Sequence, residues 1–303
     1  LIMNVAPGDE VITQALTFVA TANAISYCGA ITVLIDVDKD TLGLSPKYLQ
    51  RWLEQNAQVI DGQCFNKKTG ARISACVPMH TFGIPLRIQQ VVSICQEYCI
   101  SVVEDAAESL GSYVGKRHTG TFGDVAAVSF NGNKIMTTGG GGMILTNNYA
   151  IAQRALHLTT TAKVSHPYEF HHDAIGYNYR MPNLNAALGC AQLEQIGEIL
   201  EKKKEVANAY QKYFDEQDIQ YAKSLTNDTS NNWLNTIILQ NRDERDYFLR
   251  TMNANGIMCR PIWSLINELT MYNKCQTDQL KNSRWLSDRI VNIPSSVPNT
   301  LER

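Results

Sequence analysis

Apolar runs of strand length alternate with helix-like segments through the first half of the chain. The strand-like runs are rich in β-branched residues, and between them apolar residues recur at helical spacing. In chain order the pattern predicts a strand within 10–20, a helix at 17–27, strands at 31–35 and 71–79, a helix at 86–98, and strands at 100–103 and 124–130. Strands that alternate with helices favour a mostly parallel sheet covered on both faces. We therefore predict an α/β fold for this half.

The second half of the chain has a different pattern. Its predicted elements are a helix at 183–214 just after Pro182, a strand at 232–239, a helix at 244–255 ended by Gly256, and a strand at 257–261. This order is typical of a smaller α+β unit. We therefore divide the chain into a large domain, residues 1–193, and a small C-terminal α+β domain, residues 194–303.

Composition and charge narrow the class of protein. Of the 303 residues, 44% are hydrophobic and 18% are charged, a balance that disfavours disorder and coiled coil. With 27 Lys and Arg against 29 Asp and Glu, the net charge of −2 gives no electrostatic reason to expect nucleic acid or an anionic membrane as a partner. No apolar run approaches the ~20 residues of a membrane helix, and the first residues lack the pattern of a secretory leader. We expect a cytoplasmic protein.

The eight cysteines are scattered without a CxxC pair, and several lie inside apolar runs, where free thiols pack as small hydrophobic groups. Cys95 and Cys99 are spaced for one helix face, but no histidine or second cysteine pair completes a metal site. We predict reduced cysteines and no metal.

Polar residues follow three of the predicted strands. Glu104 and Asp105 end one strand, His80 ends another, and the segment 129–142 leaves a third. Ligands bind at the carboxyl ends of parallel strands, so these residues should meet at one edge of the sheet. A single histidine at a strand end is more often structural. We assign no catalytic role to His80 or to the pair at 171–172.

The segment 129–142 carries the strongest chemical signal. It offers Lys134 and ends in four glycines, which let the backbone approach a cofactor closely. A lysine in a semi-buried pocket can act as an amine nucleophile. The alternative is an ordinary solvated lysine, since neither a P-loop nor a G-x-G-x-x-G pattern is present.

Asp105 ends a buried strand, where an unpaired carboxylate is costly unless a cation meets it. A protonated pyridine nitrogen would be such a cation. An aspartate on that nitrogen, with a lysine forming the imine, is the chemistry of pyridoxal 5'-phosphate (PLP) sites. The alternative is that Asp105 caps the following helix.

Five motifs extend this interpretation over most of the chain. They are Pro-Gly-Asp-Glu-Val-Ile (7–12), Thr-Phe-Val-Ala-Thr-Ala-Asn-Ala (17–24), Glu-Asp-Ala-Ala-Glu (104–108), Ser-Phe-Asn-Gly-Asn-Lys (129–134) and Gly-Tyr-Asn-Tyr-Arg (176–180). In this order they resemble the DegT/StrS-type PLP-dependent sugar aminotransferases. The resemblance implies a three-layer α/β/α large domain of the aspartate aminotransferase-like fold, fold-type I. Segments 137–142, 159–163 and 185–192 resemble in particular the UDP-sugar 4-aminotransferases of bacillosamine and legionaminic acid synthesis.

The resemblance implies two catalytic residues. Lys134 would form the imine with PLP and later carry the proton between cofactor and substrate carbons. Asp105 would pair with the pyridine nitrogen and keep it protonated, so that the ring can act as an electron sink.

It also implies cofactor-binding residues. Phe18 would stack on the cofactor ring, and Ser129 would bind the phosphate. Glu108 lies where the family usually has Gln or His beside the phenolic oxygen. Asn178 would reach the phosphate from a neighbouring subunit, which implies a homodimer with a shared active site.

The implied activity is transamination of a nucleotide-linked 4-keto-6-deoxysugar, UDP-linked and N-acetylated, with glutamate as amino donor. The amino sugar would serve surface polysaccharide or glycan synthesis. Two alternatives stay open: a PLP-dependent sugar dehydratase, although Lys134 argues against it, and an inactive chain that keeps the fold. The family has a further segment before Pro7 whose backbone amides hold the PLP phosphate at a helix N-terminus. The resemblance predicts that this chain lacks that part of the site.

Overall fold

A computed structural model describes residues 1–297 of the chain. Its α-helices are α1 (Val19–Tyr27), α2 (Pro46–Asn56), α3 (Ile88–Glu97), α4 (Tyr149–Thr159), α5 (Asn183–Glu194), α6 (Ile196–Glu216), α7 (Arg242–Ala254) and α8 (Lys281–Ser287). Its strands up to residue 172 are β1 (Glu10–Gln14), β2 (Ile31–Ile35), β3 (Ala57–Ile60), β4 (Gln63–Asn66), β5 (Ile73–Val77), β6 (Ser101–Asp105), β7 (Tyr113–Val114), β8 (Arg117–His118), β9 (Val125–Ser129), β10 (Gly142–Leu145), β11 (Lys163–Val164) and β12 (His171–His172). The later strands are β13 (Gln220–Tyr221), β14 (Asp228–Thr229), β15 (Asn235–Ile238), β16 (Arg260–Pro261), β17 (Gln276–Thr277) and β18 (Ile290–Ile293).

A seven-stranded sheet forms the centre of the large domain, in the order β10-β9-β6-β5-β1-β2-β17. Neighbouring strands run parallel except β10, which is antiparallel to β9. Strand β1, which lies inside the sheet, pairs Ile12 with Val33 on one side and with Cys76 on the other. The mostly parallel sheet predicted from the sequence is thus confirmed.

Helices cover both faces of this sheet. Side chains alternate between the two faces along a strand. Ile12, Val33 and Cys76 are buried with the apolar faces of α2 and α3. Their neighbours Val11 and Leu34 are buried on the opposite face, against α1. The fold is therefore the three-layer α/β/α arrangement expected for fold-type I.

A second, antiparallel sheet lies in the C-terminal part, in the order β13-β15-β18-β16. Its apolar face is buried against α6 and α7, around Phe214, Ile237 and Val291. Two other C-terminal strands pair with earlier elements, since β17 joins the large sheet beside β2 and β14 pairs with β7. The division at residue 193 stays a prediction.

Several elements differ from their predicted bounds. The helix predicted over 183–214 is two helices, because Gln195 ends α5 and precedes α6. The predicted helix at 17–27 begins only at Val19, since Phe18 is extended with φ −66° and ψ 142°. Helices α2 and α4 and the β3–β4 hairpin were not predicted from the sequence.

Within residues 1–297, no helix has the length and apolar character needed to cross a bilayer. All eight cysteines carry free thiols, and Cys64, Cys76, Cys95 and Cys259 are buried.

Candidate active site

The residues that follow β1, β6 and β9 lie at one edge of the large sheet. Asp105 is the last residue of β6 and Ser129 the last of β9. Phe18 immediately precedes α1, beyond the end of β1. This is the edge at which open α/β sheets bind ligands.

Asp105 is held by neutral donors. Its Oδ2 accepts a hydrogen bond from Thr21 Oγ1 at 2.6 Å, and its Oδ1 accepts one from the N–H of Ala107 at 3.2 Å. Along residues 1–297, no cationic side chain forms a salt bridge with it. The alternative that Asp105 caps a helix is wrong, because a turn and then β7 follow β6.

Lys134 faces a buried carboxylate. Its Nζ lies 3.3 Å from Glu108 Oε1, and the side chains of Lys134 and Glu108 are 13% and 2% exposed. Glu108 Oε2 accepts a hydrogen bond from the N–H of Phe82 at 2.9 Å. A tight turn aims the lysine, since its own N–H donates to Asn131 O at 3.0 Å. Lys134 is therefore not the solvated surface residue of the alternative interpretation.

Burial raises the pKa of Glu108 to about 7. The Lys134 ammonium and the Phe82 N–H favour the carboxylate and lower the pKa, while the nearby Asp105 carboxylate raises it further. The raised value means that Glu108 can hold or release a proton near neutral pH. A carboxyl group tuned in this way is typical of an active site.

Glu104, the residue before Asp105, has a different environment. Burial works to raise its pKa, but hydrogen bonds from His80 and from the N–H groups of Gly123 and Gly120 outweigh burial, and the pKa is lowered. His80 Nδ1 accepts from the N–H of Leu86, so its Nε2 is the nitrogen that donates to Glu104, at 3.1 Å. The sequence led us to expect a buried cation beside this acidic pair, but N–H groups stabilise the Glu104 carboxylate instead. His80 is one of these donors and therefore has a structural role.

Phe18 presents an open aromatic face beside the site. Its side chain is 46% exposed, and its ring centroid lies 5.8 Å from that of Trp263. Trp263 in turn packs on Phe82, at 5.0 Å between centroids. The Phe18 ring is therefore held from behind and free to stack on a planar ligand.

Within residues 1–297, neither Ser129 nor Asn178 forms a side-chain hydrogen bond with Lys134 or Glu108. Ser129 Oγ accepts a hydrogen bond from the N–H of Asn131 at 3.3 Å, in the loop that leads to Lys134. Asn178 lies in the segment after β12, where its backbone pairs with Thr160. The structure thus groups Asp105, Glu108 and Lys134 closely and leaves Asn178 on another part of the chain.

Four residues of the site were missed by the sequence analysis: Thr21, Phe82, Asn231 and Trp233. Thr21 lies within the motif at 17–24, three residues after Phe18. Its position on the first turn of α1 could have indicated that it faces the site. Phe82 follows His80 and has a left-handed φ of 59°. Asn231 and Trp233 have no local signal, because their partners lie about 100 or more positions earlier.

Comparisons with known proteins decide the family. The chain matches the DegT/DnrJ/EryC1/StrS aminotransferase family over residues 1–303. It belongs to that family. It is 34% identical over 273 residues to EpsN of Bacillus subtilis (strain 168), provisionally named a pyridoxal phosphate-dependent aminotransferase, which covers 90% of this chain and 68% of EpsN. It is 33% identical over 296 residues to the GDP-perosamine synthase of Escherichia coli O157:H7, covering 97% of this chain and 76% of the synthase.

A solved structure agrees with this assignment. The aminotransferase TlmJ of Streptoalloteichus hindustanus superposes with a TM-score of 0.86 at 26% identity, over 97% of this chain and 76% of TlmJ. The chain is therefore a sugar aminotransferase of the DegT/DnrJ/EryC1/StrS family, and PLP is its cofactor.

The geometry fits this cofactor. Among residues 1–297, the Asp105 carboxylate accepts hydrogen bonds only from a hydroxyl and an amide, which suits a protonated pyridine nitrogen. Lys134 offers a primary amine whose neighbour Glu108 can take up a proton. Phe18 offers the exposed ring face.

Proposed function

We propose that this aminotransferase moves an amino group from glutamate to the 4-keto carbon of a nucleotide-linked 6-deoxysugar. The observation that carries the proposal is the placement of Lys134 and Asp105 around buried Glu108 at the carboxyl edge of the sheet. When bound, PLP supplies an electron sink that stabilises negative charge at the substrate carbon. The protein must hold the ring, keep its nitrogen protonated and move one proton.

The proposed roles are those that the family resemblance implies for these residues. Lys134 would hold the cofactor covalently through Nζ and then, once freed, carry the proton at that atom. Asp105 would keep the proton on the pyridine nitrogen, and Thr21 would fix the orientation of that carboxylate with its 2.6 Å hydrogen bond. Phe18 would stack on the ring, and Ser129 would donate its hydroxyl to the phosphate.

Glu108 would lie beside the phenolic oxygen of the cofactor. Because its pKa is raised to about 7 by burial, Glu108 can be present there as a neutral carboxyl group that donates a hydrogen bond. Gln and His, which the family usually has at this position, can donate a hydrogen bond in the same way.

We also propose that two copies of the chain form the working enzyme and that Asn178 serves the partner's site. Large apolar side chains are exposed along α5 and the segment before it, including Ile175 at 88%, Tyr179 at 74% and Leu184 at 86%. Large apolar side chains that are exposed along one stretch of the chain are typical of an interface. Asn178 lies between Ile175 and Tyr179 in the sequence, so an interface formed by this stretch would bring it to a second subunit.

The nucleotide carried by the sugar substrate could be UDP or GDP. The segments 137–142, 159–163 and 185–192 favour a UDP-linked, N-acetylated sugar, whereas relatives at 33% identity are named for a GDP-linked product. The site residues named above would contact the cofactor rather than the nucleotide, so they do not distinguish between the two.

The test is an assay of the purified chain with PLP, glutamate and a 4-keto-6-deoxysugar linked to UDP or to GDP. We expect one nucleotide series to yield an amino sugar and an equal amount of 2-oxoglutarate, as detected by mass spectrometry. Lys134→Ala is the matched control and should give neither product. Loss of water from the sugar without gain of nitrogen would favour the dehydratase instead. No turnover with either series would favour the inactive chain.

A further inference from the structure

Trp233, a residue of the C-terminal part, lies directly against Lys134. The Lys134 Nζ is 4.0 Å from the centre of the indole ring, on the ring face. Trp233 is 7% exposed, so the contact is shielded from water. A cation over an indole face is attracted by the ring quadrupole, more strongly when the pair is desolvated.

Three hydrogen bonds fix the position of this ring. The indole Nε1–H donates to Asn133 O at 2.7 Å, and the backbone N–H of Trp233 donates to Asn231 Oδ1 at 2.9 Å. The carbonyl of Trp233 accepts from the buried Lys203 Nζ at 2.8 Å. The ring is thus tied to the residue that immediately precedes Lys134.

Glu108, the carboxylate partner of Lys134, also contacts the segment that carries Trp233. Asn231 is 2% exposed, and its Nδ2 donates to the carbonyls of Glu108 and Leu110 at 2.8 and 2.9 Å. The segment 231–233 therefore contacts the backbone of Glu108 through Asn231 and the loop of Lys134 through Trp233. Its position sets the distance between the ring, the amine and the carboxyl group.

We propose that Trp233 is a positioning residue for Lys134, which limits the flexible side chain to the directions from which its Nζ reaches both the cofactor and the substrate carbon. A free lysine side chain has many rotamers, and their loss would otherwise oppose each proton transfer. The ring face removes part of that freedom before substrate binds. This inference rests on the catalytic role proposed for Lys134.

The first test needs no cofactor. The purified chain is methylated with formaldehyde and cyanoborohydride, and the rate at Lys134 is compared by peptide mapping with the rate at exposed Lys47 in the same digest. Removing the ring that covers Nζ should raise the relative rate in Trp233→Leu about threefold, whereas Trp233→Phe, which keeps a ring face, should stay near the wild type. Trp233→Met serves as the ring-free variant if Trp233→Leu does not fold.

The matched control is Trp285. It belongs to the same apolar cluster, and its ring contacts Lys39 and Arg289 rather than Lys134. Trp285→Leu should leave the labelling of Lys134 unchanged. An equal rise in Trp285→Leu would mean general loosening of the cluster, and no rise in Trp233→Leu would mean that the ring does not restrain the lysine. Either result overturns the proposal.

The second test uses the loaded enzyme. Trp233→Leu should lower kcat about 10- to 100-fold with the KM for the sugar nucleotide nearly unchanged, and Trp233→Phe should recover most of kcat. A rise in KM alone would place Trp233 in substrate binding and overturn the positioning role. If borohydride traps no cofactor on Lys134 of the wild type, the proposed function fails, while the labelling experiment still tests the contact by itself.

Discussion

At the scale of single residues, the ionisation of Glu108 determines the net charge beside Lys134. It is the only carboxylate in salt-bridge contact with Lys134 along residues 1–297, and it is 2% exposed. Since burial raises its pKa to about 7, a proton can pass on or off this group near neutral pH. Its neighbour Asp105 meets a hydroxyl and an amide instead. Asp105 and Glu108, three residues apart in the sequence, thus lie in different environments, which supports the proposed tasks of counter-ion for Asp105 and proton holder for Glu108.

Glu108→Gln should change how stability depends on pH. The folded pKa of about 7 lies above the ~4.3 of an exposed glutamate, so the protonated group stabilises the fold below the unfolded pKa and this stabilisation is lost as pH rises through the folded pKa. Between about pH 4 and pH 7 the wild type should lose up to about 3 kcal/mol of unfolding free energy relative to Glu108→Gln, which does not titrate. Urea unfolding of both cofactor-free proteins at several pH values measures this. Parallel curves would rule out a raised pKa at Glu108.

Asp105→Asn should slow transamination about 100-fold, because a neutral amide cannot stabilise a protonated pyridine nitrogen. Single-turnover kinetics with glutamate isolate this step from product release. Thr21→Val, which removes only the 2.6 Å hydrogen bond to Asp105, should have a smaller effect in the same assay. An unchanged rate in Asp105→Asn would mean that the carboxylate is structural.

At the scale of elements, a glycine controls how the segment 231–233 packs on the site. Gly83 has a φ of +87°, and a Cβ there would lie 1.9 Å from Asn231 Oδ1. The Asn231 side chain is itself held by Glu108 O and Leu110 O. The turn 81–83 and the segment 231–233 therefore fit together only with glycine at position 83.

Gly83→Ala should destabilise the fold by about 2–4 kcal/mol, from backbone strain and overlap with Asn231 together. Gly8→Ala is a matched control, since Gly8 has the same φ of +87° and no heavy atom within 4 Å of the added Cβ. That variant should lose only about 1 kcal/mol from strain. Denaturant midpoints compare the two, and equal losses would mean that Asn231 moves away at no cost.

The elements that the sequence predicted are those with strong local patterns. The strands at β2, β5, β6 and β9 are short apolar runs, and each was found close to its observed bounds. The helix α2 was missed although Pro46 at its first turn and the buried positions Leu49, Trp52 and Leu53 are typical helix signals. The break at Gln195 was not predicted, because its one local signal is Gly197, two residues later, and a single glycine inside a helical pattern is often tolerated.

Some residues of the candidate site could be predicted from the sequence and others could not. Lys134 and Asp105 each follow a predicted strand, so the topology of a parallel sheet was enough to bring them to one edge. The partners of Lys134 could not be found by pattern, because Trp233 reaches the lysine loop from 100 positions away. Contacts of that range depend on how the C-terminal part packs on the large sheet.

At the scale of the whole molecule, the two sheets are joined by one apolar cluster. Leu16 and Phe82 from the large sheet's edge pack there with Trp233, Ile262 and Leu286. The candidate site thus lies beside the apolar cluster where the two parts of the chain meet. Movement of one part against the other would change the environment of Lys134 directly.

The proposed dimer can be tested on the exposed face of α5. Leu184 and Leu188, four residues apart, are 86% and 45% exposed. Leu184→Asp with Leu188→Asp should convert a dimer to monomer in sedimentation while leaving the unfolding free energy per chain nearly unchanged. Tyr27→Asp, at an 83% exposed site on α1, is the control and should stay dimeric. A wild-type chain that sediments as a monomer at all concentrations would contradict the shared site.

The central claim is that Lys134 is the residue that binds the cofactor covalently. The most direct measurement is to add PLP to the purified chain, record the near-visible absorption, reduce with borohydride and map the modified peptide by mass spectrometry. We expect an absorption band that reduction makes permanent, with the added mass on Lys134 and none in Lys134→Ala. A reduced adduct on any other lysine, or equal labelling and activity in Lys134→Ala, would contradict the account.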